Sequence, residues 1–198
     1  LTPVPYDPAK AGAMLDAAGW RMGPSGMRSK NGTPLSLQLI YGQGSASAQD
    51  IVVEVQQMLH NVGVAVQLKS YSYANLYAAA ENGGILNTGK FDMTVYAWIS
   101  GADPDDSSTW TCSMIPPNGN DVSRYCSPQM DAAQQQALST FDRAARKRAY
   151  AEIESLLLQD APGAFLMDQP MRYIYTPQLT NFEPNGISEG WNAQEWQL

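Results

Sequence analysis

The stretch LSLQLIYGQGSASAQDIVVEVQQMLHNVGVAVQL, residues 35–68, holds the reading that decides the fold. Leu35, Leu37, Leu39 and Tyr41 alternate with polar neighbours, the pattern of a half-buried strand. Residues 47–62 then place Ile51, Val55, Met58, Leu59 and Val62 on one helical face, and Gly63 stops the helix. Val64, Val66 and Leu68 alternate again as a second strand. Strand, returning helix and strand compose a βαβ unit, whose two strands run parallel.

Working outward, Asp7-Pro8 reads as an N-cap with proline at the first helical position. Ala11, Met14, Leu15 and Ala18 follow as one apolar stripe that ends at Gly19. Residues 23–34 carry turn chemistry, residues 71–81 read as a helix, and residues 92–99 as a third strand. Two helices are expected over 128–141 and 143–160, stopped by Pro162-Gly163, and strand pieces over 164–167 and 171–175 around Pro170. Residues 179–198 are rich in Asn, Pro, Gly and Trp with little period, and read as a tail to the domain formed by residues 1–178. The fold class is α/β: a largely parallel sheet flanked by helices, with an irregular C-terminal tail.

A chain of 198 residues with 44% apolar content can bury one sizeable core. A net charge of −7, with clustered cations only over residues 143–148 of an expected helix, argues against a nucleic-acid partner. No run approaches the roughly 18 apolar residues of a membrane span. The first residues, Leu1-Thr2-Pro3-Val4-Pro5-Tyr6, have neither an initiator methionine nor an apolar signal core, so the chain reads as a piece of something longer.

Cys112 and Cys126 bracket a Pro/Gly/Asn-rich segment that has no hydrophobic period. A disulfide there would stabilise the fold by about 3 kcal/mol on the chain-entropy argument and implies a compartment outside the reducing cytosol. The spacing fits no zinc site, and the one histidine, His60, lies far away near a helix C-terminus, so neither a metal nor a cofactor is expected.

Two segments carry site chemistry. Tyr41-Gly42-Gln43-Gly44-Ser45-Ala46-Ser47 joins a strand to a helix but has Ser47 where a dinucleotide fingerprint needs its third glycine. It reads instead as a tight turn whose amides and serines face a crevice at the strand ends. The run from Phe91 to Asp105 ends a strand at Trp98 and enters a turn rich in glycine and aspartate. Ligands of α/β sheets sit beyond the carboxyl ends of strands, which makes Trp98 a candidate contact. Asp103, Asp105 and Asp106 fit a turn leading into a helix with acidic N-terminal residues, with ligand contact or acid–base chemistry as the alternatives. Without a Gly-x-Ser-x-Gly elbow, a Ser-His-Asp centre has little basis.

A further set of residues resembles a known family. The set begins with Tyr6-Asp7-Pro8-Ala9-Lys10-Ala11, Leu15 and Ala18-Gly19-Trp20, and continues with Leu59, Val62-Gly63-Val64, Phe91-Asp92, Trp98 and Asp103-Pro104. It closes with Tyr125-Cys126-Ser127-Pro128, Met130-Asp131, the segment from Asp142-Arg143 to Tyr150, and Asp160-Ala161-Pro162. In this order and spacing the chain resembles the C-terminal lobe of the family 5 extracellular solute-binding proteins, the dipeptide, oligopeptide and nickel receptors of ABC importers. The resemblance implies a non-enzymatic, extracytoplasmic lobe. Together with an N-terminal lobe, it would enclose a small solute, a peptide, oligosaccharide or metal chelate, and deliver it to a membrane permease.

The resemblance also implies that Ser47, Tyr73, Trp98, Ile99, Ser100, Gly101, Asp103 and Asp105 face the cleft, and that the tail returns toward the other lobe. Peptide-binding members place an aspartate shortly after the tryptophan; here Ser100 or Gly101 stands at that position. Two rivals remain at this stage: a ligand-sensing regulatory protein built on the same lobe, and an enzyme using Asp103 and Asp105 with Tyr96 or Tyr125. The enzyme requires a carboxylate whose pKa is strongly raised in a pocket.

Overall fold

The computed structural model describes residues 4–98, 101, 103–167 and 171–198. Helix α1 (Pro8–Ala17) starts as expected, with the Asp7 carboxylate accepting from the Lys10 amide at 2.8 Å. The segment read as turns is instead an antiparallel meander, β1 (Arg21–Met22), β2 (Arg28–Lys30) and β3 (Thr33–Pro34). Its strands are too short to show a period, so the sequence displayed only their turns.

The meander seats one buried cation. Arg28 of β2 is 5% exposed; its guanidinium donates to the Asp16 carboxylate at 2.8 Å and to the Trp20 and Val62 carbonyls, each at 2.7 Å. A buried arginine is tolerable only when paired and bonded in this way. It ties α1 to the end of the next helix. Gly63 lies at φ +84°, and a Cβ there would sit 2.8 Å from the Arg28 side chain, so backbone conformation and close approach both demand glycine.

The βαβ unit is β4 (Ser36–Gly42), α2 (Ala46–Asn61) and β5 (Ala65–Tyr71), with β4 and β5 parallel from Ser36↔Ala65 to Gly42↔Tyr71. After β5 the expected helix over 71–81 does not form. The strand runs on to Tyr71, and only α3 (Tyr73–Leu76) and a 3-10 turn (Ala80–Asn82) follow, before α4 (Ile85–Thr88). Regular pairing of the third strand, β6, covers only Met93–Thr94, with the Asp92 and Val95 amides donating to the Gln38 and Ile40 carbonyls on either side. The sheet order is β5-β4-β6, all parallel.

β4 is central, and so both its faces are covered rather than one. Leu39 joins Val52, Val64 and Val66 on one side, and Ile40 joins Leu76 and Leu86 on the other. The expected helix stripe holds at Val55, Leu59 and Val62, which pack on this core, but Val52 is fully buried and Met58 is exposed.

The remaining helices are α5 (Ser107–Trp110), α6 (Pro128–Leu138) and α7 (Arg143–Asp160). α6 and α7 form an antiparallel hairpin around Met130, Ala133, Ala137, Ala149, Ile153 and Leu157, with Trp110 and Tyr125 packed against it. The Cys112–Cys126 disulfide closes the intervening loop across a Cα separation of 4.5 Å. The Asp131 carboxylate accepts from the Cys112 amide at 2.9 Å, and the Tyr125 hydroxyl donates to Asp160 at 2.6 Å.

No strand forms over the described residues 164–167 and 171–175. The tail is irregular but internally bonded. Thr180 pairs with Gln197, Phe182 gathers Tyr173, Tyr175 and Trp196, and fully buried Asn192 donates to the Asn181 carbonyl and accepts from the Trp196 indole.

Candidate functional site

Because β4, β5 and β6 are parallel, their carboxyl ends open on one edge, and the segments leaving them meet there. From β4 comes the turn of Gln43 to Ser47. The Ser45 hydroxyl accepts from the Ala48 amide at 3.2 Å, capping α2, and lies 3.1 Å from the exposed Ser47 hydroxyl. From β5 comes Tyr73, opening α3 after Ser72, whose hydroxyl accepts from the Asn75 amide. The Tyr73 ring lies over Gly42, where a Cβ would come within 2.8 Å of the ring.

From β6 come Tyr96 and Trp98. Their rings are nearly parallel, with centroids 6.4 Å apart; Tyr96 is 6.4 Å from Tyr77, and Tyr77 stacks on Tyr73 at 6.2 Å. A continuous run Tyr73–Tyr77–Tyr96–Trp98 therefore crosses the edge. Tyr73, Tyr77 and Trp98 are 52%, 52% and 41% exposed, while Tyr96 also packs on the core of Ile40, Leu76 and Leu86. Burial, then the neighbouring phenol, raises the pKa of both Tyr77 and Tyr96, so both remain neutral.

Two depressions lie along this edge. One of about 300 Å³ is lined by Tyr41, Gln43, Gly44, Ser45, Gln49 and Ser70 among others. The other, of about 140 Å³, is lined by Tyr77, Tyr96, Asn87, Asn120, Leu86 and Val122 among others.

The acidic turn is spent on structure. Asp103 accepts from Arg146 of α7 at 2.6 Å, and the Tyr150 hydroxyl lies 3.1 Å from the same guanidinium. The bond from Arg146 holds the Asp103 carboxyl below its ordinary range. Asp105 accepts from the Ser107 amide at 3.0 Å. Asp106 accepts from Gln134 at 2.7 Å; its pKa is raised by burial, but it lines neither depression. The enzyme rival needed at least one carboxylate raised in a pocket; Asp103 is lowered, and the two that burial raises, Asp106 and Asp121, line neither depression.

Of the candidate residues, the edge brings together Ser47, Tyr73 and Trp98. Gly101 is exposed, and Ile99 and Ser100 lie outside the described residues. Tyr77 was missed, and Tyr96 was considered only for the enzyme. Their spacing could have found them: Tyr73 and Tyr77 are four apart, one helical turn, and Tyr96 and Trp98 are two apart, one strand face.

The sequence profile of the bacterial extracellular solute-binding proteins, family 5 (middle), matches residues 1–118. The chain belongs to this family. The family 5 chain is 30% identical over 182 residues to the glutathione-binding protein GsiB of Pectobacterium atrosepticum, covering 91% of this chain and 33% of that protein. It is 29% identical over 188 residues to the nickel-binding periplasmic protein of Escherichia coli, covering 91% and 34%. The structure of the oligopeptide-binding protein AppA from Bacillus subtilis, in complex with a nonapeptide, matches with a TM-score of 0.80 at 26% identity, covering 98% of this chain and 38% of that one.

The chain thus spans about a third of the length of the curated relatives it matches. The periplasmic-binding-protein-like lobe expected from the sequence is the observed fold. Among the described residues no helix is long and apolar enough to cross a membrane.

Proposed function

We propose that this chain is one lobe of an extracytoplasmic receptor that captures a small solute for an ABC importer. The observation that carries the reading is the aromatic run at the carboxyl edge of the sheet. Exposing three half-uncovered rings in a row has no folding benefit, because burying each would stabilise the chain by roughly 1.5–3 kcal/mol. The rings await a ligand. Tyr73 and Trp98 supply the contact surface with Tyr77 and Tyr96. Ser47, Ile99, Ser100 and Gly101 form its rim, and Asp103 and Asp105 hold the turn in place.

A solute on one wall keeps much of its surface in water, so tight binding requires a second wall. In this reading an N-terminal lobe supplies it. Contacts to both lobes shift a hinge equilibrium toward a closed form that the permease's membrane subunits recognise. Residues 179–198 return toward that lobe; Ile174, Ile187 and Trp191, each at least half exposed, support such a covering. The Cys112–Cys126 disulfide supports an oxidising compartment.

The relatives' names span glutathione, nickel and oligopeptides, so the solute class is tested broadly. The two-lobed receptor containing this chain is melted against peptides, oligosaccharides and metal chelates, with this lobe alongside. A ligand at about 100 times its dissociation constant adds about 2.7 kcal/mol. A shift in the receptor but not in the lobe is expected. An equal shift in the lone lobe, or none in either, contradicts two-walled capture.

A further inference from the structure

The geometry points to a neutral, polyhydroxylated solute: an oligosaccharide whose sugar faces stack on Tyr73, Tyr77, Tyr96 and Trp98. This inference rests on the receptor reading above and names the solute class of the same edge. The first observation is the chemistry of the two depressions. Every residue lining them is uncharged, and their polar groups are amides and hydroxyls: Gln43, Ser45, Gln49 and Ser70 beside β4, Asn87 and Asn120 beside Tyr77 and Tyr96.

The second observation is that Asp103, Arg124 and Lys69 each have a partner among the described residues. Asp103 is paired with Arg146, Arg124 donates to the Asn87 carbonyl at 2.8 Å, and the Lys69 ammonium sits 5.0 Å from the Tyr71 ring centre. Pairing with Arg146 keeps Asp103 charged but occupied, and the raised Tyr77 and Tyr96 phenols carry no charge to offer. A peptide terminus or a charged chelate seated in these depressions would lose hydration without meeting an opposite charge in their lining.

A sugar ring meets no such penalty. Its C–H face is apolar and weakly positive, matching the negative face of an aromatic ring, while its equatorial hydroxyls project at the ring edge toward amide partners. Asn87 already donates its side-chain amide to the Ala78 carbonyl at 2.7 Å, which leaves its side-chain Oδ1 to accept from a solute hydroxyl. Tyr73 and Trp98, 52% and 41% exposed, stand at the two ends of the ring-to-ring run, so a solute longer than one sugar unit is needed to reach both.

The test titrates the two-lobed receptor with cellohexaose, maltohexaose, a zwitterionic pentapeptide and nickel–histidine, by calorimetry and tryptophan fluorescence. One hexaose is expected to bind, with an affinity that changes less than about twofold between about 0.05 and 0.5 M salt, because no ion pair is screened. Trp98→Ala should weaken it by about tenfold, Trp98→Tyr should restore most of the loss, and Tyr77→Ala should weaken it independently. Unchanged melting temperatures would show that these variants fold.

Salt-sensitive binding of the pentapeptide or the chelate, with no hexaose binding, overturns the oligosaccharide inference and leaves the receptor reading intact. Hexaose binding that ignores both Trp98→Ala and Tyr77→Ala also overturns it, by moving the sugar off this wall. If none of the solutes binds the receptor, the receptor reading fails and this inference fails with it.

Discussion

Around the α6–α7 hairpin four carboxylates have partners within the protein: Arg146 holds Asp103, Asp160 accepts from Tyr125, Asp131 from the Cys112 amide, and Asp106 from Gln134. At the carboxyl edge of the sheet the reverse holds, with apolar rings left uncovered and neutral polar groups facing outward. One region satisfies its carboxylates within the protein, and the other leaves aromatic rings exposed, the surface on which the proposed solute contact rests. Carboxylates in a loop next to a cleft therefore need not be its chemistry. Here Asp103, Asp105 and Asp106 meet partners within the protein, and in the proposed reading the contact surface is aromatic.

The comparison breaks most visibly if the hairpin core is not what stabilises its side. Ile153, 2% exposed inside the hairpin, should cost about 2–5 kcal/mol when truncated in Ile153→Ala, measured by urea unfolding. Replacing Cys112 and Cys126 together by serine should cost about 3 kcal/mol in the same assay, since the closed loop has a sequence separation of 14 residues.

Gly42→Ala probes the boundary between the two regimes. Its Cβ would meet the Tyr73 ring at 2.8 Å, so the ring must move, at about 1–3 kcal/mol in stability and with weaker solute binding.

Asp103→Asn sharpens the contrast through pH. The folded-state pKa of Asp103 is depressed, so its contribution to stability is present above the unfolded carboxylate pKa and lost as pH falls through the folded value. Wild type and variant should differ in midpoint at neutral pH and converge in acid; a constant difference would deny the pairing its role. Smallest of all, Trp98→Ala should change stability by less than about 1 kcal/mol, because the side chain is 41% exposed, while lowering solute affinity severalfold.

The βαβ unit was legible because both its strands and its helix are long enough to display their periods. The meander over residues 21–34 was not, since strands of two or three residues have no period to read; its purpose, seating Arg28, depends on carbonyls supplied by Trp20 and Val62. Tyr71 to Glu81 resembled one helix. Tyr77 ends α3, and the Gly83-Gly84 pair and the packing of Leu76 and Leu86 on Ile40 favour short turns instead. Trp98 could be singled out from its place at a strand end, but its partnership with Tyr77 is a tertiary fact that sequence spacing only hints at.

The most direct measurement is hydrogen exchange on the two-lobed receptor with and without saturating solute. The account predicts added protection over residues 71–77 and 93–98, where the aromatic run is anchored, and little change over the helices Pro128–Leu138 and Arg143–Asp160. Protection gained in those helices, with none along the aromatic edge, would contradict it.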